Sequence, residues 1–146
     1  MYAIHTNNGD CAKCDQVFDR YPRFNKYLRT WFKKLQAMYP SAHISVAGRG
    51  KLAQQKALKE KSSLADWTES AHNWNCAIDI FRLLDNGKAD WTPSWYKTTI
   101  GPMVADDLEL VWYGDDKAKF KEQGHVEVRG WKQLVANGIE YLVEAA

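Results

Sequence analysis

The chain has 146 residues, 20 Lys+Arg against 18 Asp+Glu for a formal charge of +2, and 45% hydrophobic residues that include 7 Trp, 7 Tyr and 5 Phe. That is enough apolar material for one sizeable core and far from the composition of a disordered chain, and no apolar run approaches the ~20 residues of a membrane-spanning helix. The expectation is one soluble globular domain, and the amino terminus, with neither a basic start nor an apolar stretch, predicts no secretory signal peptide.

Taken in chain order, the amino-terminal segment reads as a polar leader carrying His5 and the pair Cys11-Ala-Lys-Cys14. A structural zinc on that pair would need two more soft ligands, with Cys76 the one thiol left over, and a redox dithiol would need a helix start after a strand. Free thiols are therefore expected at Cys11 and Cys14, burial at Cys76, and non-catalytic roles for His5 and His43. Pro22 to Tyr39 reads as an amphipathic helix, with Phe24, Tyr27, Trp31, Leu35 and Met38 recurring at three and four residues and Pro40 as the stop.

His43 to Ala47 alternates like a short strand and ends at Gly48-Arg49-Gly50, after which Lys51 to Lys61 predicts a second helix. Ser62 to Asn75 is polar and turn-rich. Cys76 to Phe81 reads as a strand with Ala77, Asp79 and Phe81 on the face opposite Cys76, Ile78 and Ile80. Asp85-Asn-Gly-Lys88 is a turn, and Thr92-Pro93 starts a helical stretch expected to be interrupted near Gly101-Pro102.

Leu108 to Tyr113 predicts a strand, and His125 to Arg129 another, with His125, Glu127 and Arg129 on one face. Trp131, Leu134, Val135, Ile139 and Leu142 mark a closing amphipathic helix. The fold class is α+β, a small antiparallel sheet flanked by helices in a single domain. Its parts are an amino-terminal leader and helix (1–42), a core (43–131) and a closing helix (132–146).

Charge is distributed unevenly along the chain. Residues 19–61 hold eleven Lys/Arg and two acids, whereas residues 62–116 hold three Lys/Arg and ten acids. A solvated helix face and contact with an anionic polymer such as cell wall, outer leaflet or nucleic acid both accommodate that pattern.

Chemistry concentrates in two segments. Ser70-Ala-His72 is followed by Asp79 on a strand, and Glu122-Gln-Gly-His125 opens another. Two His and an Asp are ligands that a catalytic zinc takes, with a fourth position left for water. Seven residues apart, His72 and Asp79 would be separated by about 10 Å along a helix and by more than ~20 Å on a straight strand. Only a chain that folds back between them lets both reach one ion, and Asn73-Trp-Asn75 is the place for it. On spacing alone, hydrogen-bonded structural histidines and an ordinary strand-end acid are an open alternative.

Ser-x-His followed seven residues later by Asp, then acid-x-x-His, resembles the zinc peptidase family of D-alanyl-D-alanine carboxypeptidases, vancomycin-resistance dipeptidases and L-alanyl-D-glutamate endopeptidases, and is most similar to the short phage endolysins. Supporting pieces occur in that family's order: Ile44-Ser-Val-Ala-Gly-Arg49 with Gln54 or Gln55, then Trp112-Tyr-Gly114-Asp115 and Phe120. Departures are Asn75 where the family usually has Gly, Glu122-Gln-Gly124 where Asp-x-Pro is frequent, and Val126 where Phe is frequent. Asn tolerates φ > 0, so the turn at position 75 survives the change.

The resemblance implies a Hedgehog/DD-peptidase-like fold with Zn2+ on His72, Asp79 and His125. It implies Glu122 as general base, Arg49 as catalytic and substrate-binding cation, and Ser70 as a residue that organises the substrate site. Glu127, two residues after His125, is a candidate partner for a ligand histidine or for a surface salt bridge. The implied function is hydrolysis of the L-alanyl-D-glutamate bond of the peptidoglycan peptide stem by a monomeric phage lysin that waits in the host cytoplasm until lysis and acts in the periplasm or cell wall. Nucleic acid binding and membrane insertion are not expected. Alternatives are a D-alanyl-D-alanine carboxypeptidase on the same scaffold and a non-catalytic peptidoglycan-binding domain.

Overall fold

Asn25 begins the longest amphipathic segment by accepting the backbone N–H of Leu28 on its side chain, and helix α2 (Lys26–Met38) follows, burying Leu28, Trp31, Phe32 and Leu35 on one stripe. Pro22 lies in the turn before it, so the cap is Asn25 and not the proline. An earlier helix that the leader did not announce, α1 (Ala12–Asp19), starts at Cys11, whose Sγ accepts the N–H of Cys14. The computed structural model describes residues 4–114, 123–136 and 138–144.

Five antiparallel strands form one open sheet in the order β1-β2-β5-β4, with β3 also paired to β2. They are β1 (Ala42–Val46), β2 (Ala77–Leu83), β3 (Ala89–Asp90), β4 (Leu110–Trp112) and β5 (His125–Val128). Alternation sends Ile44, Ile78, Ile80, Val126 and Val128 into the core, where they meet α2 and α4 (Pro93–Ala105). Asp79, Phe81, His125 and Glu127 share the other face through their cross-strand registers. Helix α3 (Lys51–Lys59) lies between β1 and the polar segment before β2.

Two further expectations change. Helix α4 runs through Gly101-Pro102 without a break. The proline removes a single backbone bond, and the buried positions Tyr96, Thr99, Ile100 and Val104 hold both halves against the core. The closing helix is split into α5 (Trp131–Val135) and a 3-10 turn (Ile139–Tyr141), with Leu134 left 42% exposed. Asn137-Gly138 in the sequence is a helix-ending pair, and the N–H of Gly138 turns back to the carbonyl of Val135. Cys76 is fully buried, as expected, and burial together with the charge of Glu127 pushes its thiol up to about 12.

Two glycines fix how β5 meets its neighbours. A Cβ on Gly124 would sit 2.0 Å from the carbonyl oxygen of Ile80, whose N–H in turn donates to Gly124 O at 2.8 Å. Only a residue without a side chain fits this crossing. Gly114 leaves room for the indole of Trp112, a Cβ there lying 1.9 Å from the ring, and Trp112 Nε1 donates to the carbonyl of Gln123 at 2.6 Å. Gly124→Ala is therefore expected to destabilise the fold by about 2–3 kcal/mol, because backbone must move to admit the methyl. Chemical denaturation measures this; an unchanged midpoint would show that the crossing is looser than described.

Candidate metal centre

β2 places Asp79 opposite two neighbours, Val46 on β1 and His125 on β5. Directly opposed residues of an antiparallel pair have Cβ atoms about 5 Å apart, so the His125 ring reaches the Asp79 carboxylate without strain. His72 comes from the segment before the strand. Ser70 caps a 3-10 turn (Ala71–Trp74): its Oγ accepts the N–H of His72, and its own N–H donates to Asn73 Oδ1. Asn75 then takes φ +59°, and the N–H of Cys76 returns to the carbonyl of Ala71. This reversal is what a seven-residue separation between His72 and Asp79 requires.

Both imidazoles meet one oxygen. His72 Nε2 lies 3.1 Å and His125 Nδ1 3.0 Å from Asp79 Oδ1. The three ligand atoms all lie within 4.8 Å of one another. The proton positions follow from the partners behind them. Nδ1–H of His72 donates to the carbonyl of Ala47 at 2.8 Å, and a carbonyl can only accept. With Nδ1–H committed to that carbonyl, the uncharged tautomer would turn the lone pair of Nε2 towards a carboxylate oxygen. His125 is held at its other nitrogen by Glu127 Oε1 at 2.8 Å, again an acceptor.

Acceptors facing acceptors at this distance call for a cation between them. In the absence of a metal the cation is a proton: burial acts to lower the pKa of His125, but hydrogen bonds and charge from Asp79 and Glu127 outweigh it and raise it to about 9. Burial likewise acts to raise the Asp79 carboxyl, yet His72 and His125 hold it well below the ordinary carboxylate range. A divalent ion satisfies the same lone pairs with both rings neutral, His72 donating to Ala47 and His125 to Glu127. The donor set, two imidazoles and one carboxylate, fits such an ion.

The surroundings form a cleft of ≈ 300 Å³ lined by Arg49, Ser62–Ala65, Ser70, Tyr113 and Glu127 along with the three candidate ligands. Arg49 directs Nη2 to Asp79 Oδ2 at 3.8 Å and donates from Nη1 to Gln54 Oε1 at 3.2 Å. Gln54 is buried and donates to Ala65 O and Ser63 Oγ, while Asn73 Nδ2 donates to Gln54 Oε1 and to Arg49 O. The guanidinium is thus positioned by a satisfied buried network in which Gln54 takes part, whereas Gln55 is exposed.

Ser70 lines the cleft with its hydroxyl engaged by His72 N–H. Glu122, Asp115 and Phe120 lie outside the described residues. Tyr113 and the 62–65 wall are cleft residues that no sequence pattern announced. Another cluster also escaped the reading, because its members are brought together by packing: His5, Cys11, Cys14 and His43.

No family model and no curated protein matches the chain. Among solved structures, the crystal structure of Serratia marcescens L-Ala D-Glu endopeptidase ChiX is similar, with a TM-score of 0.66, 16% sequence identity, and coverage of 84% of this chain and 90% of that one. At that identity the likeness establishes the fold, a small α+β domain with an open antiparallel sheet.

Proposed function

We propose that residues 1–146 form a single zinc peptidase domain that hydrolyses the L-alanyl-D-glutamate bond of peptidoglycan stems, as a phage endolysin does. The observation that carries this reading is the convergence of His72 Nε2 and His125 Nδ1 on Asp79 Oδ1, with each ring's other nitrogen tied to an acceptor. It is supported by the fold shared with a protein described as an L-Ala D-Glu endopeptidase. No helix among the described residues is long and apolar enough to cross a membrane.

His72, Asp79 and His125 would hold the metal. A zinc ion bound there supplies Lewis acidity, lowering the pKa of water towards ~7 and polarising a peptide carbonyl. Glu122, three residues before His125, takes the proton of the attacking water and returns it to the leaving amine. Arg49 offers fixed positive charge beside the metal ligands, where oxygen gains negative charge as the carbonyl becomes tetrahedral. Glu127 keeps His125 in the tautomer whose Nδ1 lone pair faces Asp79. The basic 19–61 segment suits approach to an anionic wall.

Digestion of purified peptidoglycan, with the new amino termini read by mass spectrometry, tests the assignment. New amino groups on glutamate are expected, lost with chelator and restored by zinc. Release of terminal alanine would instead mark a carboxypeptidase, and no cleavage by folded, zinc-loaded protein a binding domain. Glu122→Gln is expected to retain zinc and lose activity by about 10²–10⁴-fold, whereas His125→Ala loses both; near wild-type turnover by Glu122→Gln would remove the proposed base. Glu127→Ala is expected to weaken zinc binding by about 10–100-fold in competition with a chelator. Unchanged affinity would make Glu127 a mere surface partner.

A further inference from the structure

Cys11, Cys14 and His43 are fully buried, and with His5 their ligand atoms all lie within 4.8 Å of one another, well apart in sequence from the candidate catalytic ligands. His5 Nδ1 is 3.5 Å from both sulfurs, and His43 Nδ1 is 3.4 Å from Cys14 Sγ. A tetrahedral zinc with sulfur at about 2.3 Å and nitrogen at about 2.0–2.1 Å sets S···N edges of about 3.5 Å. The three observed separations match those edges.

Hydrogen bonds around the cluster turn a lone pair of His43 towards Cys14 and bring an N–H to each sulfur. Asn7 Nδ2 donates to the carbonyl of Leu83 at 3.0 Å, which fixes the amide so that Oδ1 faces His43 Nε2 at 2.7 Å. Nε2 therefore carries the proton and Nδ1 the lone pair that faces Cys14. Gln36 Nε2 donates to the carbonyl of Ala42 at 2.9 Å and to Cys14 Sγ at 3.4 Å, and Gln36 Oε1 accepts the N–H of Cys11. The N–H of Cys14 donates to Cys11 Sγ at 3.4 Å. Each sulfur thus receives an N–H, an arrangement that suits thiolate charge.

We propose that these four residues form a second, structural zinc site that fastens the amino-terminal segment to the first strand of the sheet. Two thiolates cancel the charge of the ion, so the complete site is neutral and can be buried. Four protein ligands close the tetrahedron and leave no position for water, which separates this site in kind from the three-ligand centre. Binding releases two thiol protons and requires no change of oxidation state. The two further ligands that the Cys-x-x-Cys pair needs are supplied by histidines, one from the leader and one from β1.

The test loads the full-length, reduced chain with cobalt(II) or zinc(II) and reads metal stoichiometry by elemental analysis together with the cobalt spectrum. Two equivalents per chain and a near-ultraviolet thiolate-to-cobalt charge-transfer band are expected, a band that two imidazoles and a carboxylate cannot give. His125→Ala should fall to one equivalent and keep the band, and Cys14→Ser should lose the band. If Cys14→Ser does not fold, the wild-type spectrum and stoichiometry decide.

One equivalent without the band overturns the second site and leaves the catalytic reading intact. One equivalent with the band supports the second site and counts against the catalytic one. A Cys11–Cys14 disulfide that forms in metal-loaded protein under air, or two equivalents without the band, would also overturn the assignment.

Discussion

One carboxylate oxygen receiving two imidazole nitrogens is the constraint that organises this molecule. Asp79 Oδ1 must be reached from a neighbouring strand and from a turn seven residues earlier in the chain. The first condition fixes the register of β5 on β2, since a slip of one residue would send His125 to the opposite face and bring Val126 out of the core. The second fixes the 3-10 turn and its left-handed exit at Asn75. Gly124 is the cost of placing β5 there, because its neighbour's carbonyl occupies the space of a side chain.

What holds the candidate ligands is a set of buried polar groups that have found partners. Gln54, His72 and Asn73 are buried, and their hydrogen bonds run to Arg49, Ala47, Ser63, Ala65 and Ser70. Buried amides that are fully engaged fix orientation at little cost, whereas an unpaired one costs about 1–3 kcal/mol. Arg49 is accordingly held beside Asp79 with its side chain 16% exposed, where an arginine at the end of a strand would ordinarily reach into water.

The strands and the main helices were legible because alternation and helical period are local properties. Asp79 and Phe81 fell on the polar face of β2 and Ile78 and Ile80 on the apolar one. Trp31 and Leu35 of the expected stripe are buried on α2, whereas Tyr27 and Met38 of that stripe are exposed and Leu28 and Phe32 are buried in addition. The chain reversal near Asn75 was legible for a geometric reason, the distance that His72 must span. Less local features were not. Pro102 looked like a helix stop, but the burial on either side of it carries α4 through. Cys11 and Cys14 lacked partners in the sequence because His43 is 29 residues from Cys14 and joins it only when α1 packs on β1.

β1 links the two clusters. His43 near its start lies opposite Phe81, and the carbonyl of Ala47 just beyond its end receives Nδ1–H of His72. Phe81 and Asp79 are two residues apart on β2, about 7 Å along the strand. The ring of Phe81 packs against both His5 and His43. A closed four-ligand site at one end of this strand pair would tie the segment around His5 and α1 to β1, beside the strand whose neighbouring carbonyl orients His72. An open site needs rigid ligands because a vacant coordination position leaves one fewer bond to define its geometry. Metal at both clusters would give them different tasks within one sheet, the first fixing where β1 lies and the second using that position to present His72 to Asp79.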